Sequence, residues 1–138
     1  MTLFNFCHVL KVKDLKKSKQ FFNEIGFTEN PHHIDNDHLG SFFIGDKKVV
    51  MMLFPVDTFK GFIAHNVSNA NVGTEVLFNM DAQSKEEVDA MAKRVKNAGG
   101  NIYTAPGEKD GWMYAFGFLD PDGHRWSVLY MDMSKMPQ

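Results

Sequence analysis

The feature that most constrains this chain is an order of predicted elements that occurs twice: one strand, one helix and then three short strands. In the first half, a strand over 3–12 leads to an amphipathic helix that follows Asp14 and ends at Gly26. In the second half, a strand over 74–80 leads to a helix that Ser84 caps. We interpret this pattern as an internal duplication, with roughly 50–60 residues in each unit.

Three strand-like segments follow each predicted helix. They cover 27–34, 38–44 and 47–54 in the first half, and 101–104, 112–119 and 126–131 in the second. The segment 55–72 between the halves has Pro, Gly and several Asn residues, which favour an irregular connection. Long connections in small domains are often functional, so we expect this segment to act as a lid.

A hairpin closes the second half. Asp120-Pro121-Asp122-Gly123-His124 lies between two apolar runs that are rich in aromatic and branched residues. Pro121 favours the first turn position, and Gly123 can adopt the positive φ that completes the turn. Because side chains alternate along a strand, Trp126 and Ser127 are predicted to lie on opposite faces, with Trp126 packed under a helix.

Composition limits the classes of function. A chain of 138 residues predicts a single domain, 1–138, with module one at 1–54, a linker at 55–72 and module two at 73–138. The net charge of −2 gives no basic footprint for nucleic acid or an anionic membrane. No apolar run approaches the ~20 residues that span a bilayer, and no signal peptide is recognisable. We therefore expect a cytoplasmic protein without nucleic-acid or membrane partners.

The repeated pattern and its local motifs resemble the vicinal oxygen chelate superfamily, which includes glyoxalase I, bleomycin-binding proteins and extradiol dioxygenases. Val12-Lys13-Asp14-Leu15 is similar to the first strand-to-helix signature of that superfamily, and Asp120–His124 is similar to its last hairpin. The resemblance covers essentially the whole chain. Further motifs resemble an uncharacterised branch labelled predicted lactoylglutathione lyase, and they lie at 27–31, 50–53, 74–77, 98–100 and 111–114.

The resemblance implies an α+β fold in which two βαβββ modules form an open, cup-shaped mixed sheet with helices on the outside. It also implies a homodimer. Metal-dependent members hold a divalent ion in the cup, and their four ligand positions fall here on Cys7, Met52, Glu75 and Ser127. A thiol, a thioether, a carboxylate and a hydroxyl do not form a matched ligand set. We therefore expect no cofactor; the alternative is a divalent metal held by side chains outside the family positions.

Glu75 is the candidate catalytic residue of this chain. A carboxylate in an apolar cup is suited to act as a general base, or to anchor a cationic or hydroxylated ligand. The other candidate ligand-binding positions are Cys7, Met52 and Ser127, together with Met113 and Tyr114 because their strand must present one face to the cup. Cys7 is predicted to be a small buried residue, with a reactive thiol as the alternative.

Three functions are consistent with these residues. The first is a metal-free protein that binds a small molecule in an apolar cup, in the manner of bleomycin-binding proteins. The second is a metal-dependent lyase, isomerase or dioxygenase of the same superfamily. The third is an interaction or sensor module whose cup is filled by side chains such as Met52 and Phe54.

Overall fold

The first half of the chain forms a four-stranded sheet with one helix on its buried face. The computed structural model describes residues 4–137 and divides into two compact units, Met1–Ser68 and Asn69–Gln138. The N-terminal unit contains the elements β1 (Cys7–Val12), α1 (Leu15–Glu24), β2 (Thr28–Glu29), β3 (Gly40–Ile44), β4 (Val49–Pro55) and α2 (Val56–Ile63). Its strand order is β1-β4-β3-β2, with β1 parallel to β4 and the other neighbours antiparallel.

The C-terminal unit repeats this topology. It contains β5 (Leu77–Asp81), α3 (Lys85–Asn97), β6 (Asn101–Lys109), β7 (Met113–Leu119) and β8 (Arg125–Met131), followed by a 3-10 turn at Met133–Lys135. The strand order is β5-β8-β7-β6, and again only the first pair is parallel. The predicted α+β class and the duplicated βαβββ pattern are therefore confirmed.

The predicted helix caps are present at both main helices. The Asp14 carboxylate accepts a hydrogen bond from the Lys17 backbone N–H at 3.1 Å, and Gly26 adopts a φ of 103° after α1. At α3, the Ser84 hydroxyl accepts from the Glu87 N–H at 3.2 Å. The Glu87 carboxylate in turn accepts from the N–H of Gln83, the residue before the cap, so the reciprocal bond lies one residue earlier than in a standard capping box.

The core of the N-terminal unit is aromatic. Phe22 of α1 is 1% exposed, and its ring stacks on Phe27 with 5.6 Å between centroids. Phe42 of β3 lies 5.9 Å from the same ring, and Leu53 of β4 is fully buried. The helix therefore covers the sheet face that carries Phe42 and Leu53, and the opposite face carries the alternate residues.

The predicted strand over 27–34 forms only at Thr28–Glu29, because asparagine side chains build turns after it. The Asn30 amide oxygen accepts from the His32 N–H at 3.0 Å, and that of Asn36 accepts from the His38 N–H at 2.7 Å. Lys19 joins this segment to α1, because its ammonium group donates a hydrogen bond to the Asn36 carbonyl at 2.5 Å. Side chain-to-backbone bonding thus replaces strand pairing along most of this stretch.

The predicted irregular connection 55–72 begins with a helix, so that prediction is wrong over α2. Pro55 precedes the helix, and Ala64 ends it in the left-handed region with a φ of 50°. The Phe62 ring lies 5.2 Å from that of Phe54, which places α2 against the end of β4. Its apolar side chains gave the helical signal, and the neighbouring Gly and Asn residues obscured it.

Besides the end of β2, three strand boundaries differ from the sequence prediction by three or more residues. The first strand begins at Cys7 rather than at residue 3, which lies outside the described residues. The strand expected over 74–80 begins at Leu77, and β6 continues beyond 104 through Pro106-Gly107 by shifting its register against β7. Among the described residues, no helix combines the length and hydropathy needed to cross a lipid bilayer.

Candidate functional site

The side chains of the C-terminal unit that are best placed to bind a ligand lie on one face of its sheet. Tyr114 of β7 bonds to α3, so the face that carries Tyr114 and the buried Trp126 is the helix side. The opposite side is here called the open face. Strand register places Asn79, Ser127 and Gly117 in one row across it, because Ser127 pairs with Asn79 on β5 and with Gly117 on β7.

Gly117 leaves room on the open face for an aromatic ring. A Cβ atom at this position would clash with Cζ of Tyr103, so the ring occupies the space that the side chain of any larger residue would fill. The Tyr103 hydroxyl donates to the backbone carbonyl of Trp126 at 3.2 Å. These two constraints hold the Tyr103 ring flat over β7 and β8.

Arg125 lies on this ring. Its Cζ is 4.5 Å from the centroid of Tyr103, which is the geometry of a cation–π contact. Its neighbours in register are both apolar: Leu77 on β5 and Leu119 on β7. Within residues 4–137, Arg125 forms no ion pair, although its side chain is half-buried.

The closing hairpin fixes the backbone on both sides of Arg125. Asp120 is 5% exposed, and its carboxylate accepts from the backbone N–H groups of Asp122 and His124 at 3.0 Å each. The same carboxylate contacts Nδ1 of His124 at 2.8 Å and accepts from Nε1 of Trp126 at 3.1 Å. His124 is therefore a hairpin residue, and Asp120 anchors the residues that precede and follow Arg125.

Met113 and Tyr114, which the sequence analysis proposed together, lie on opposite faces. Met113 is in register with Met131 on the open face, as Ser127 is with Gly117. The Tyr114 hydroxyl instead donates to Asp89 of α3 at 2.8 Å, and Lys85 lies 5.5 Å from its ring centroid. Met113 and Ser127 thus share a face that Tyr114 does not reach.

The hydrogen bond to Asp89 raises the pKa of Tyr114 above its usual value of 10.0, with partial burial as the second cause. A raised folded-state pKa means that the folded protein retains this proton where the unfolded chain loses it. We expect stability from this contact to be complete below pH 10 and to decline as pH rises through the raised pKa. Titration of the tyrosines by absorbance, in wild type and in a Tyr114→Phe variant, isolates this group.

A matched pair of variants on α3 tests the cause of the raised Tyr114 pKa. Asp89→Asn removes the charge that Tyr114 faces, and it should return the tyrosine pKa towards 10.0. Glu86→Gln removes an exposed charge in the first turn of the same helix and should leave the titration unchanged. An unchanged titration in Asp89→Asn would show that the charged Asp89 carboxylate is not the cause.

Two of the other candidate residues lie on one face of the N-terminal unit. Cys7 pairs with Val50, and Met52 pairs with Val9, so both side chains belong to the face opposite α1. Ser41 of β3 is in register with Met52 and is buried. Cys7 is exposed, so the prediction of a small buried residue is wrong; it is the first residue of an edge strand, and β4 covers one side only.

Glu75 lies outside the strand on which it was predicted. β5 begins two residues later, and Glu75 occupies an exposed bend. The apolar surroundings assumed for its carboxylate are therefore not present around it in the C-terminal unit. Its catalytic role stays a prediction, as do the ligand-binding roles of Cys7, Met52 and Tyr114.

The family metal positions do not fit a catalytic divalent ion. A carboxylate is present at Glu75, but the other three positions offer the thiol of Cys7, the thioether of Met52 and the hydroxyl of Ser127, which do not form a matched ligand set with it. Among residues 4–137, no group of three or more His, Cys, Asp or Glu side chains is placed to hold a metal ion. We therefore derive no chemical step through a metal.

Sequence reasoning missed Arg125, Tyr103 and Asn79 as members of the open face. Alternation from Ser127 would have placed Arg125 on the same face of β8, since the two residues are two positions apart. The place of Asn79 depends on parallel pairing between β5 and β8, and that of Tyr103 on a register shift in β6. Neither pairing is visible in a single sequence.

Comparison with known proteins identifies the family to which this chain belongs. The chain belongs to the Glyoxalase/Bleomycin resistance protein/Dioxygenase superfamily, whose family model matches residues 6–128. A comparison with curated proteins gives no match. The resemblance drawn from the sequence motifs is thereby confirmed at the level of the superfamily.

Solved structures support the same fold. The hypothetical protein SA1046 from S. aureus is 28% identical, with a TM-score of 0.82 over 94% of this chain and 95% of that chain. Fosfomycin resistance protein FosX from Mesorhizobium loti is 14% identical, with a TM-score of 0.66 over 98% of each chain. Lactoylglutathione lyase from Agrobacterium tumefaciens is 17% identical, with a TM-score of 0.65 over 95% of this chain and 96% of that chain. The last two likenesses show the fold alone.

Proposed function

We propose that this protein binds a small organic molecule on the open face of its C-terminal sheet, and that it does so without a catalytic metal. The observation that carries the proposal is an apolar surface with a few converging polar groups. Leu77 is 55% exposed and Tyr103 and Met131 are each 41% exposed, while Ser127 and Asn79 lie side by side among them. Ligand sites commonly combine apolar walls with a small number of placed polar groups.

The position of Ser127 supports binding rather than metal chemistry. The family resemblance places a metal-ligating carboxylate here, whereas a neutral serine hydroxyl is a weaker metal ligand that can donate a hydrogen bond to a bound molecule or accept one from it. Met113 on the same face adds a flexible apolar side chain that adapts to different ligand shapes. A hydroxyl beside such side chains suits recognition of a polar group on an otherwise apolar molecule.

The relatives are consistent with this class of function without defining the ligand. One of the structural neighbours is a fosfomycin resistance protein and another is a lactoylglutathione lyase, so the fold accommodates small molecules of different chemistry in other proteins. The metal-dependent lyase, isomerase or dioxygenase is the competing assignment. It requires donors that the family positions of this chain lack.

The proposal is tested by ligand screening with and without divalent metals. We expect members of a panel of small carboxylates, amines, alcohols and phosphates to raise the melting temperature equally in EDTA and in added Ni²⁺, Zn²⁺ or Mn²⁺. Backbone amide shifts should change along β7 and β8 around Gly117 and Ser127. Elemental analysis of the purified protein should find no stoichiometric transition metal.

A blocking variant makes the test specific to the open face. Ser127→Phe adds a ring beside Gly117 and should abolish the ligand-dependent rise in melting temperature, whereas Ser68→Phe at an exposed position should not. A ligand response that survives Ser127→Phe would locate binding elsewhere. A stoichiometric metal held by three or more side chains would favour the enzyme instead.

A further inference from the structure

Arg125 on the open face contacts an aromatic ring but has no ion-pair partner among residues 4–137. Most half-buried arginines pair with a carboxylate or bond to carbonyl groups. Arg125 instead contacts the Tyr103 ring and lies in register between Leu77 and Leu119, with no ion pair among residues 4–137. The nearest acid along β5 is Asp81, at the far end of the strand and in register with Leu129.

We propose that Arg125 is the specificity-determining residue of this face and that it binds the carboxylate of an organic acid with an apolar body. This inference rests on the proposed function and adds the chemical class of the ligand. A guanidinium that stacks on a ring keeps its N–H edge available, and that edge matches the two oxygens of a carboxylate. Leu77 and Leu119, which are in register with Arg125 on the same face, provide contacts for the apolar body.

The Tyr103 ring beneath Arg125 depends on particular neighbouring residues. Tyr103 can lie flat only because residue 117 is glycine, and its hydroxyl is held by the carbonyl of Trp126. A leucine at 103 would remove both the ring and this hydrogen bond. Tyr103 is therefore a positioning residue that acts through Arg125.

Pairs of charged and neutral probes test the proposal by calorimetry or amide-shift titration. Benzoate and octanoate are compared with benzamide and octanamide, and phenyl phosphate is compared with phenol. We expect each carboxylate to bind wild type at least about tenfold more tightly than its amide, because a hydrogen bond to a charged group is stronger than a neutral one. Arg125→Gln should reduce this ratio to about one.

The chain offers a matched control, because its other arginine, Arg94, is exposed on α3. Arg94→Gln should keep the full ratio of carboxylate to amide affinity. Tyr103→Leu should lower the ratio while Arg125 remains, and Tyr103→Phe should retain most of it. These readouts separate loss of charge recognition from loss of folding, which circular dichroism of each variant checks.

The outcomes distinguish this inference from the proposed function. Equal binding of acids and amides to wild type would refute the role of Arg125 and leave small-molecule binding intact. A ratio that persists in Arg125→Gln would place the anion site elsewhere, and discrimination of phenyl phosphate but not of the carboxylates would make the ligand a phosphate ester. Failure of every probe and of the wider panel to bind would overturn both proposals.

Discussion

Asp120→Ala is expected to reduce the free energy of unfolding by about 3 kcal/mol or more, which corresponds to a fall in melting temperature of about 10 °C. The carboxylate accepts hydrogen bonds from two backbone N–H groups and the Trp126 indole and contacts His124 Nδ1. Trp126 is 2% exposed, so the substitution removes a hydrogen bond from a buried indole N–H. Chemical denaturation followed by Trp fluorescence measures the change.

Two further variants separate the causes of that loss. Asp120→Asn retains one accepting oxygen, so its effect should lie between those of wild type and Asp120→Ala. Asp46→Ala removes an exposed aspartate from the turn between β3 and β4 and should change stability by less than about 0.5 kcal/mol. Similar losses at positions 46 and 120 would show that the buried hydrogen bonds are not responsible.

Phe22→Ala is expected to destabilise the N-terminal unit by about 3–5 kcal/mol, because it leaves a cavity under the sheet. The ring is 1% exposed and contacts Phe21, Phe27 and Phe42, with centroid separations between 5.3 and 5.9 Å. A close-packed core relaxes only partly around such a deletion. The midpoint of urea unfolding gives the measurement.

Removal of the exposed Phe62 ring from α2 supplies the control. Phe62 is 76% exposed and contacts Phe54 alone among the aromatic rings of residues 4–137. Phe62→Ala should therefore lower the free energy of unfolding by less than about 1 kcal/mol. If the two deletions had equal effects, the packing described for α1 would not be the source of stability.

The fold was largely predictable because its signals are local. Asp14 and Ser84 cap helices through their own side chains, and Pro121 and Gly123 specify a turn within a few residues. The errors arose where a longer-range contact decided the outcome. α2 forms where an aromatic contact with β4 supports it, and the asparagine turns after β2 are joined to α1 by the bond from Lys19 to the Asn36 carbonyl.

The candidate site was less predictable because it depends on pairing across strands. Ser127 and Met113 follow from simple alternation, and the structure places them on one face. Glu75 was expected on β5, but that strand begins only at Leu77, where pairing with Arg125 starts. Tyr103 approaches Arg125 after a register irregularity that no local pattern indicates. The predicted homodimer stays a prediction.

The hairpin anchored by Asp120 has a consequence for the kinetics and strength of recognition. His124 and Trp126 are both tied to that carboxylate, so the Cα of Arg125 is immobilised from either side, and the Tyr103 ring restricts its guanidinium. An arginine that is already ordered loses little conformational entropy when a partner arrives, and this preorganisation strengthens binding without adding a contact. Substitutions that loosen the turn at 120–124 should consequently weaken affinity through faster dissociation, even when they leave every side chain of the open face unchanged.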